Sequence, residues 1–145
     1  MRQKTLLLVE DDPQDEKLIL RSFSKVNLAN QVDVVRDGQQ ALDYLFRQGE
    51  FADREGPELP VAVLLDINLP RLSGLEVLAR LRADDRTRYL PVVILTSSDE
   101  ERDRLRSYEG GANSFVRKPL DFAAFAETVA RLGVYWVATN APMKG

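Results

Sequence analysis

Short apolar runs alternate along this chain with longer segments in which apolar residues return every three or four positions. The first run is Leu6–Val9. Asp12-Pro13 follows it, an N-cap residue and a residue suited to the first helical position. Leu18, Ile19, Phe23 and Val26 then form a helical stripe. Gln31–Val35 alternates in polarity, as a more exposed strand does. A second helix restarts at "DGQQALDYLF", with Asp37 and Gln40 spaced as a capping box. Val61–Leu65 is the third strand, and "SGLEVLARLR", opened by Ser73 and Glu76 as another such box, is the third helix. Pro91–Thr96 is the fourth strand, followed by a helix that Ser98 and Glu101 should cap and that stops at Gly110-Gly111. Asn113–Val116 is a short fifth strand. Asp121 caps a last helix carrying Phe122, Phe125, Val129 and Leu132 on one face.

Five strand–helix units in strict alternation imply a parallel sheet with helices on both faces. The central runs are apolar without alternation, as strands covered on both sides should be. Crossovers between parallel strands are right-handed. The predicted fold is therefore α/β, a flavodoxin-like doubly wound five-stranded parallel sheet of order 2-1-3-4-5 with five flanking helices. Ligand crevices in such sheets lie at the carboxyl ends of the strands, beside the switch point. Two segments exceed the minimal pattern: the charged insertion Arg47–Pro60 and the tail "GVYWVATNAPMKG".

Composition narrows the chemistry. The 145 residues fit one domain, with 44% hydrophobic and 30% charged residues. A net charge of −3 gives no electrostatic argument for nucleic acid, which usually needs a basic face. No apolar run reaches the length of a membrane span, and the start "MRQKTLLLVEDD" is too short in apolar residues for a signal peptide; the cytoplasm is the expected location. The chain contains neither Cys nor His. Thiolate and imidazole chemistry are thereby excluded, and what remains must run on carboxylates, hydroxyls and lysine.

Those groups stand where strands end. Glu10 and Asp11 close the first strand, Asp66 the third and Thr96 the fourth, and Lys118 follows the fifth. In the order 2-1-3-4-5 these four strands are consecutive neighbours, so their ends converge on one crevice. Singly, each residue has an ordinary reading: "EDDPQDE" as a capped, solvated helix start, Lys118 as a surface lysine, Thr96 as a β-branched strand residue. Asp66 resists such a reading, because a carboxylate at the end of a buried apolar run is costly without a partner. Clustered carboxylates either protonate or share a cation. Mg²⁺ suits an all-oxygen site without His or Cys. A divalent ion, an ammonium and a hydroxyl facing one carboxylate make a site for a phosphoryl group, with Asp66 as nucleophile.

The motifs "LLLVEDD", "LLDINLPRLSG", "VILTSS" and "GANSFVRKPL", in this order and spacing, resemble the receiver domain of two-component response regulators. The resemblance covers about residues 4 to 133, giving a receiver domain over 1–133 and a tail over 134–145 with no separate output domain. It implies that Asp66 is the phosphoacceptor and a metal ligand, that Asp11 binds Mg²⁺ directly with Glu10 beside it, and that Asn68 gives the ion its backbone carbonyl. It implies further that Thr96 and Lys118 contact the phosphoryl group and that Thr96 and Phe115 form a switch. Lys118–Pro119 matches a bond often cis in the family, and Asp12 is read as the helix cap. The phosphoryl donor would be a phosphohistidine on a partner sensor histidine kinase. The domain would catalyse its own phosphorylation and dephosphorylation without being a conventional enzyme.

Other readings meet specific obstacles. A haloacid-dehalogenase-like phosphatase wants an acid two residues after its nucleophile, where Asn68 stands. A flavodoxin wants a hydroxyl- and glycine-rich loop after the first strand, where "EDDP" would repel phosphate. A degenerate receiver, used only as a scaffold, would not keep the acidic pair, Asp66, Thr96 and Lys118 intact. The insertion and the "YW" tail also resemble stand-alone response regulators that pair with bacterial phytochromes. That resemblance implies a phytochrome kinase as donor, a homodimer through the last helix and tail, and output by protein contact or as a phosphate shuttle or sink. An exposed Val134–Val137 would leave an apolar patch, so this segment should dock on its own domain or on a second copy.

Overall fold

The computed structural model of the chain describes residues 4–56, 59–98 and 100–143. Residues 1–3 of the expected domain, Pro57 and Glu58 of the insertion and the last two residues of the tail lie outside the described residues. Five strands, β1 (Leu6–Val9), β2 (Val32–Val35), β3 (Ala62–Leu65), β4 (Val92–Thr96) and β5 (Ser114–Arg117), form one parallel sheet of order β2-β1-β3-β4-β5. Four helices connect them and a fifth follows the last strand: α1 (Pro13–Lys25), α2 (Gly38–Phe46), α3 (Gly74–Ala83), α4 (Glu101–Glu109) and α5 (Phe122–Val134). Strand order and helix count are those expected from the sequence. Among the described residues no helix is long and apolar enough to cross a membrane.

Successive side chains of a strand point to opposite faces of the sheet, and both faces are covered here. Leu7, Val9, Val63, Leu65, Val92 and Ile94 meet Ala41, Leu42 and Leu45 of α2 and Val77, Leu78 and Leu81 of α3. Leu6, Leu8, Ala62, Leu64, Val93 and Leu95 meet Ile19 and Phe23 of α1 and Phe125 and Val129 of α5. Each fully buried aliphatic side chain contributes about 1.5–3 kcal/mol, which is why the central strands carry no polar residue before their ends.

The helix starts follow the expected chemistry at four of five places. Asp12 accepts from the N–H groups of Gln14 and Asp15, and Asp121 from those of Ala123 and Ala124. Asp37 accepts from Gln40 N–H at 2.7 Å, and the Gln40 side chain returns to Arg36 N–H at 2.8 Å. Ser73 accepts from Glu76 N–H at 3.2 Å. The fourth helix corrects the expectation: Glu100 occupies the N-cap and its side chain makes no cap bond. Ser98 lies two residues too early and donates its hydroxyl to the Asp103 carboxylate at 2.7 Å instead. Phe122 is also corrected. As the first residue of α5 it projects beyond the covered face and is 76% exposed, while Phe125 and Val129 are buried.

The insertion folds against α2. Arg47, at φ 51°, ends the helix in the left-handed region, and its guanidinium donates to the carbonyls of Arg54 and Gly56. Arg54 lies over the Tyr44 ring at 4.1 Å. At the other end of the chain, α5 runs on into a π turn, Tyr135–Thr139. Val137 is buried and Trp136 packs on the α1/α5 side of the core, whereas Val134 and Tyr135 stay exposed.

Candidate functional site at the strand ends

Register explains why the acidic groups meet. Val9 of β1 is paired with Leu65 of β3, so the next residues, Glu10 and Asp66, emerge side by side. The Asp66 N–H continues the ladder to Val9 O at 3.2 Å. Glu10, Asp66 and Lys118 all fall on the α1/α5 side by strand alternation, as Leu8, Leu64 and Val116 do two residues earlier. There the Lys118 Nζ donates to Glu10 Oε2 at 2.8 Å, to Asp15 Oδ2 at 2.9 Å and to Asp66 Oδ2 at 3.0 Å. Lys118 is 6% exposed, Asp66 7% and Glu10 1%, so these ions are held away from bulk water.

The remaining acceptor capacity is used locally. Asp66 Oδ1 accepts from Asn68 N–H at 3.2 Å, and Glu10 Oε1 from Asp12 N–H at 3.2 Å. Burial pushes the Glu10 carboxyl up to about 7, against the opposing pull of Lys118. Burial alone would lower the Lys118 ammonium. The Asp66 charge and the hydrogen bonds to Glu10 and Asp15 outweigh it and hold the group above its ordinary value.

One oxygen each from Glu10, Asp11 and Asp66 lie within 4.8 Å of one another. That donor set is all oxygen and anionic, and it fits a hard divalent cation in a partly hydrated shell. The three residues line an open cavity of about 720 Å³ together with Gln14, Asp15, Asn68, Ser97 and Lys118. The site can hold a cation, offer a carboxylate to an electrophile and present an ammonium to an anion.

Thr96, expected in the crevice, stands elsewhere. Thr96 is fully buried, does not line the cavity, and its hydroxyl accepts the Ser98 N–H at 3.3 Å. Alternation puts its side chain on the α2/α3 side, one residue out of phase with Asp66. Phe115 packs on that same side, and its N–H donates to the Tyr108 hydroxyl at 3.2 Å. The expectation of a cis Lys118–Pro119 bond is corrected: there is no cis peptide among the described residues. The trans form is the one an X–Pro amide favours by about 0.5–1 kcal/mol. Lys118 N–H donates to Thr96 O at 2.7 Å, extending the pairing of β4 with β5.

Sequence reasoning missed Asp15 and Ser97. Asp15 lies in the first turn of α1, three residues after the cap, where an acid needs no reason beyond the helix dipole. The only signal was that the first turn after β1 borders the crevice, which does not say which of its acids faces it. Gly74 is also part of the frame. A Cβ there would lie 2.1 Å from Asp66 O and 2.9 Å from Ile67 Cα, both backbone atoms. Gly74→Ala should therefore cost about 1–3 kcal/mol, as overpacking does, and displace the segment that carries Asp66. A denaturant melt matching wild type would refute this.

The sequence profile of the response regulator receiver domain family matches residues 6–130. The chain is 33% identical over 136 residues to response regulator Rcp1 of Synechocystis sp., covering 94% of this chain and 90% of that protein. A solved structure of Rcp1 is a Mn²⁺-bound form; it superposes with a TM-score of 0.85 over 96% of this chain and 98% of that one. The phosphorylated cyanobacterial phytochrome response regulator RcpA superposes with a TM-score of 0.90 at 32% identity, over 99% of this chain and 100% of that one. The bacteriophytochrome response regulator RtBRR is 48% identical, with a TM-score of 0.76 over 99% of this chain and 86% of that one. With the strand order, the acidic cluster and the buried lysine in the same frame, this chain belongs to the response regulator receiver domain family and is related to the phytochrome response regulators.

Proposed function

We propose that Asp66 accepts a phosphoryl group from a phosphohistidine on a partner sensor histidine kinase of the phytochrome class. The observation that carries the reading is the Asp66 carboxylate itself, nearly buried at the end of β3, 3.0 Å from the Lys118 ammonium and open to the cavity. An Asp66 oxygen attacks phosphorus, the donor's P–N bond breaks, and the imidazole nitrogen leaves with the electron pair. Glu10, Asp11 and Asp66, with the Asn68 backbone carbonyl, would hold Mg²⁺. When bound, the ion supplies positive charge to the phosphoryl oxygens. Lys118 is placed to bind the same oxygens from the other side.

Thr96 and Phe115 are assigned to the switch, because both lie on the α2/α3 side of the sheet. A Thr96 hydroxyl turned toward the phosphoryl group would give up its contact with Ser98 N–H and free space beside Phe115. The acyl phosphate would later be hydrolysed in the same site. Output would pass by protein contact, or the chain would act as a phosphate shuttle or sink in the cytoplasm.

Incubated with a radiolabelled, phosphorylated phytochrome kinase and Mg²⁺, the chain should take up label. Chelation should slow uptake about a hundredfold, the scale of charge stabilisation a divalent ion provides. A chain left unlabelled beside a receiver that does label would overturn the assignment.

The exposed Val134 and Tyr135 border a groove with Val26, Ala130, Arg131 and Thr139 at the α1/α5 side. A homodimer docked through the last helix and tail would cover these residues. Light scattering at high micromolar concentration should return twice the 16.4 kDa chain mass; a monomeric mass would count against it.

A further inference from the structure

An ammonium has three N–H donors, and Lys118 spends each on a different carboxylate: Glu10, Asp15 and Asp66. Glu10 and Asp66 also belong to the trio whose oxygens converge within 4.8 Å; Asp15 does not. Asp15 comes from α1 and not from a strand end. Its backbone is fixed by the cap, with its N–H donating to Asp12 Oδ1 at 3.3 Å. Its side chain is 27% exposed, while Lys118 beneath it is 6% exposed.

We propose that Asp15 is a positioning residue for phosphoryl transfer, holding the Lys118 ammonium in place while Glu10 and Asp66 change partners. The proposal rests on Asp66 being the phosphoryl acceptor. A cation shared by Glu10, Asp11 and Asp66 draws charge from two of the lysine's three acceptors. Formation of the Asp66 O–P bond then removes the formal charge of the Asp66 carboxylate. A four-carbon side chain held by those two groups alone would lose its direction at the moment its donors are needed. Asp15 is the acceptor that neither event touches. With it, one donor stays anchored, and the donor that faced Asp66 is left beside the incoming phosphoryl oxygens.

The test uses the full chain with acetyl phosphate as donor, so that no kinase surface enters the result. In this reaction the Asp66 O–P bond forms as the donor's P–O bond breaks and acetate leaves. Asp15→Ala is expected to slow phosphorylation about tenfold, the scale on which supporting residues around a reactive site act. Asp15→Asn keeps an acceptor oxygen and should recover most of that loss. In a Lys118→Ala background, Asp15→Ala should cause no further loss, because its effect runs through the lysine. In metal-free protein, the Lys118 ammonium protons should exchange slowly with water in wild type and Asp15→Asn, and faster in Asp15→Ala. A wild-type rate in Asp15→Ala, an equal loss with and without Lys118, or unchanged proton exchange would each overturn the proposal while leaving Asp66 as acceptor. A wild-type chain that takes no phosphoryl group from acetyl phosphate would overturn the reading of Asp66 and the proposal with it.

Discussion

Asp66→Asn is expected to take no measurable phosphoryl group from a kinase or from acetyl phosphate, a loss of at least about a thousandfold. An amide oxygen carries no charge to share with phosphorus, and an acyl phosphate cannot form on it. The substitution keeps size and shape, so the loss reports chemistry and not collapse. Its effect on stability should be small. Asp66 stands among Glu10, Asp11 and Asp15 with one ammonium between them. Removing one charge relieves repulsion among the carboxylates, and Lys118 keeps Glu10 and Asp15 as ionic partners. The amide oxygen that the substitution introduces can still accept from Lys118. Thermal melts of the two proteins should lie within a few degrees. Label recovered on the variant, or mapped to another residue of the wild type, would sink the assignment of Asp66.

The parts that were legible in the sequence share one property: they depend on residue type and order, not on side-chain direction. Leu6–Val9, Val61–Leu65 and Pro91–Thr96 read as buried strands because nothing polar interrupts them before Thr96, and the structure starts the latter two one residue later. Their alternation with capped amphipathic segments gives a doubly wound parallel sheet, for which 2-1-3-4-5 is one of the common orders and the one observed. Glu10, Asp66 and Lys118 followed, because in that order the ends of β1, β3 and β5 open on one side of the switch point. Side-chain phase was not legible. Whether Thr96 faces with Asp66 or against it depends on where β4 begins relative to β3, and the register Leu65–Ile94 puts it against. Asp15 was hidden by degeneracy, since a first-turn acid is explained equally well by the helix dipole and by an unseen lysine. Ser98 failed as a cap for a similar reason. "SSDEE" offers several capping residues in succession, and the structure uses Ser98 to bind Asp103.

The same degeneracy covers the tail. Tyr135 and Trp136 could extend the last helix or leave it, and sequence does not choose between one's own core and a second copy. The structure divides them: Trp136 and Val137 face the α1/α5 core, and Lys4 Nζ donates to Val137 O at 3.3 Å. Val134 and Tyr135 remain outside it.

Lys118→Ala is expected to have the largest effect on stability, about 3–5 kcal/mol in metal-free buffer at about pH 8, the range for removing one partner of a buried ion pair. Glu10, at 1% exposure, would be left without its cation. The cost should depend on pH in a definite direction. Burial already holds the Glu10 carboxyl at about 7 with the ammonium present, against an ordinary 4.5. Without the ammonium the value rises further. The folded variant then binds a proton that the unfolded chain does not, so its stability falls as pH rises from the ordinary value through the folded one. The raised Lys118 has the same sign in wild type but acts at far higher pH: its contribution is complete below the ordinary lysine value of 10.5 and is lost only above it. The gap between the two proteins should therefore be small in mild acid, where Glu10 is protonated, and widen toward pH 8. Mg²⁺ should narrow it, because a cation shared by Glu10, Asp11 and Asp66 replaces the missing charge. Phosphorylation should not recover with it. The donor that faces the phosphoryl oxygens is still gone, and the loss of one such donor is worth about a hundredfold or more in rate. Equal melting temperatures in chelator at the alkaline end would refute the structural half of this expectation, and full phosphorylation in saturating Mg²⁺ would refute the chemical half.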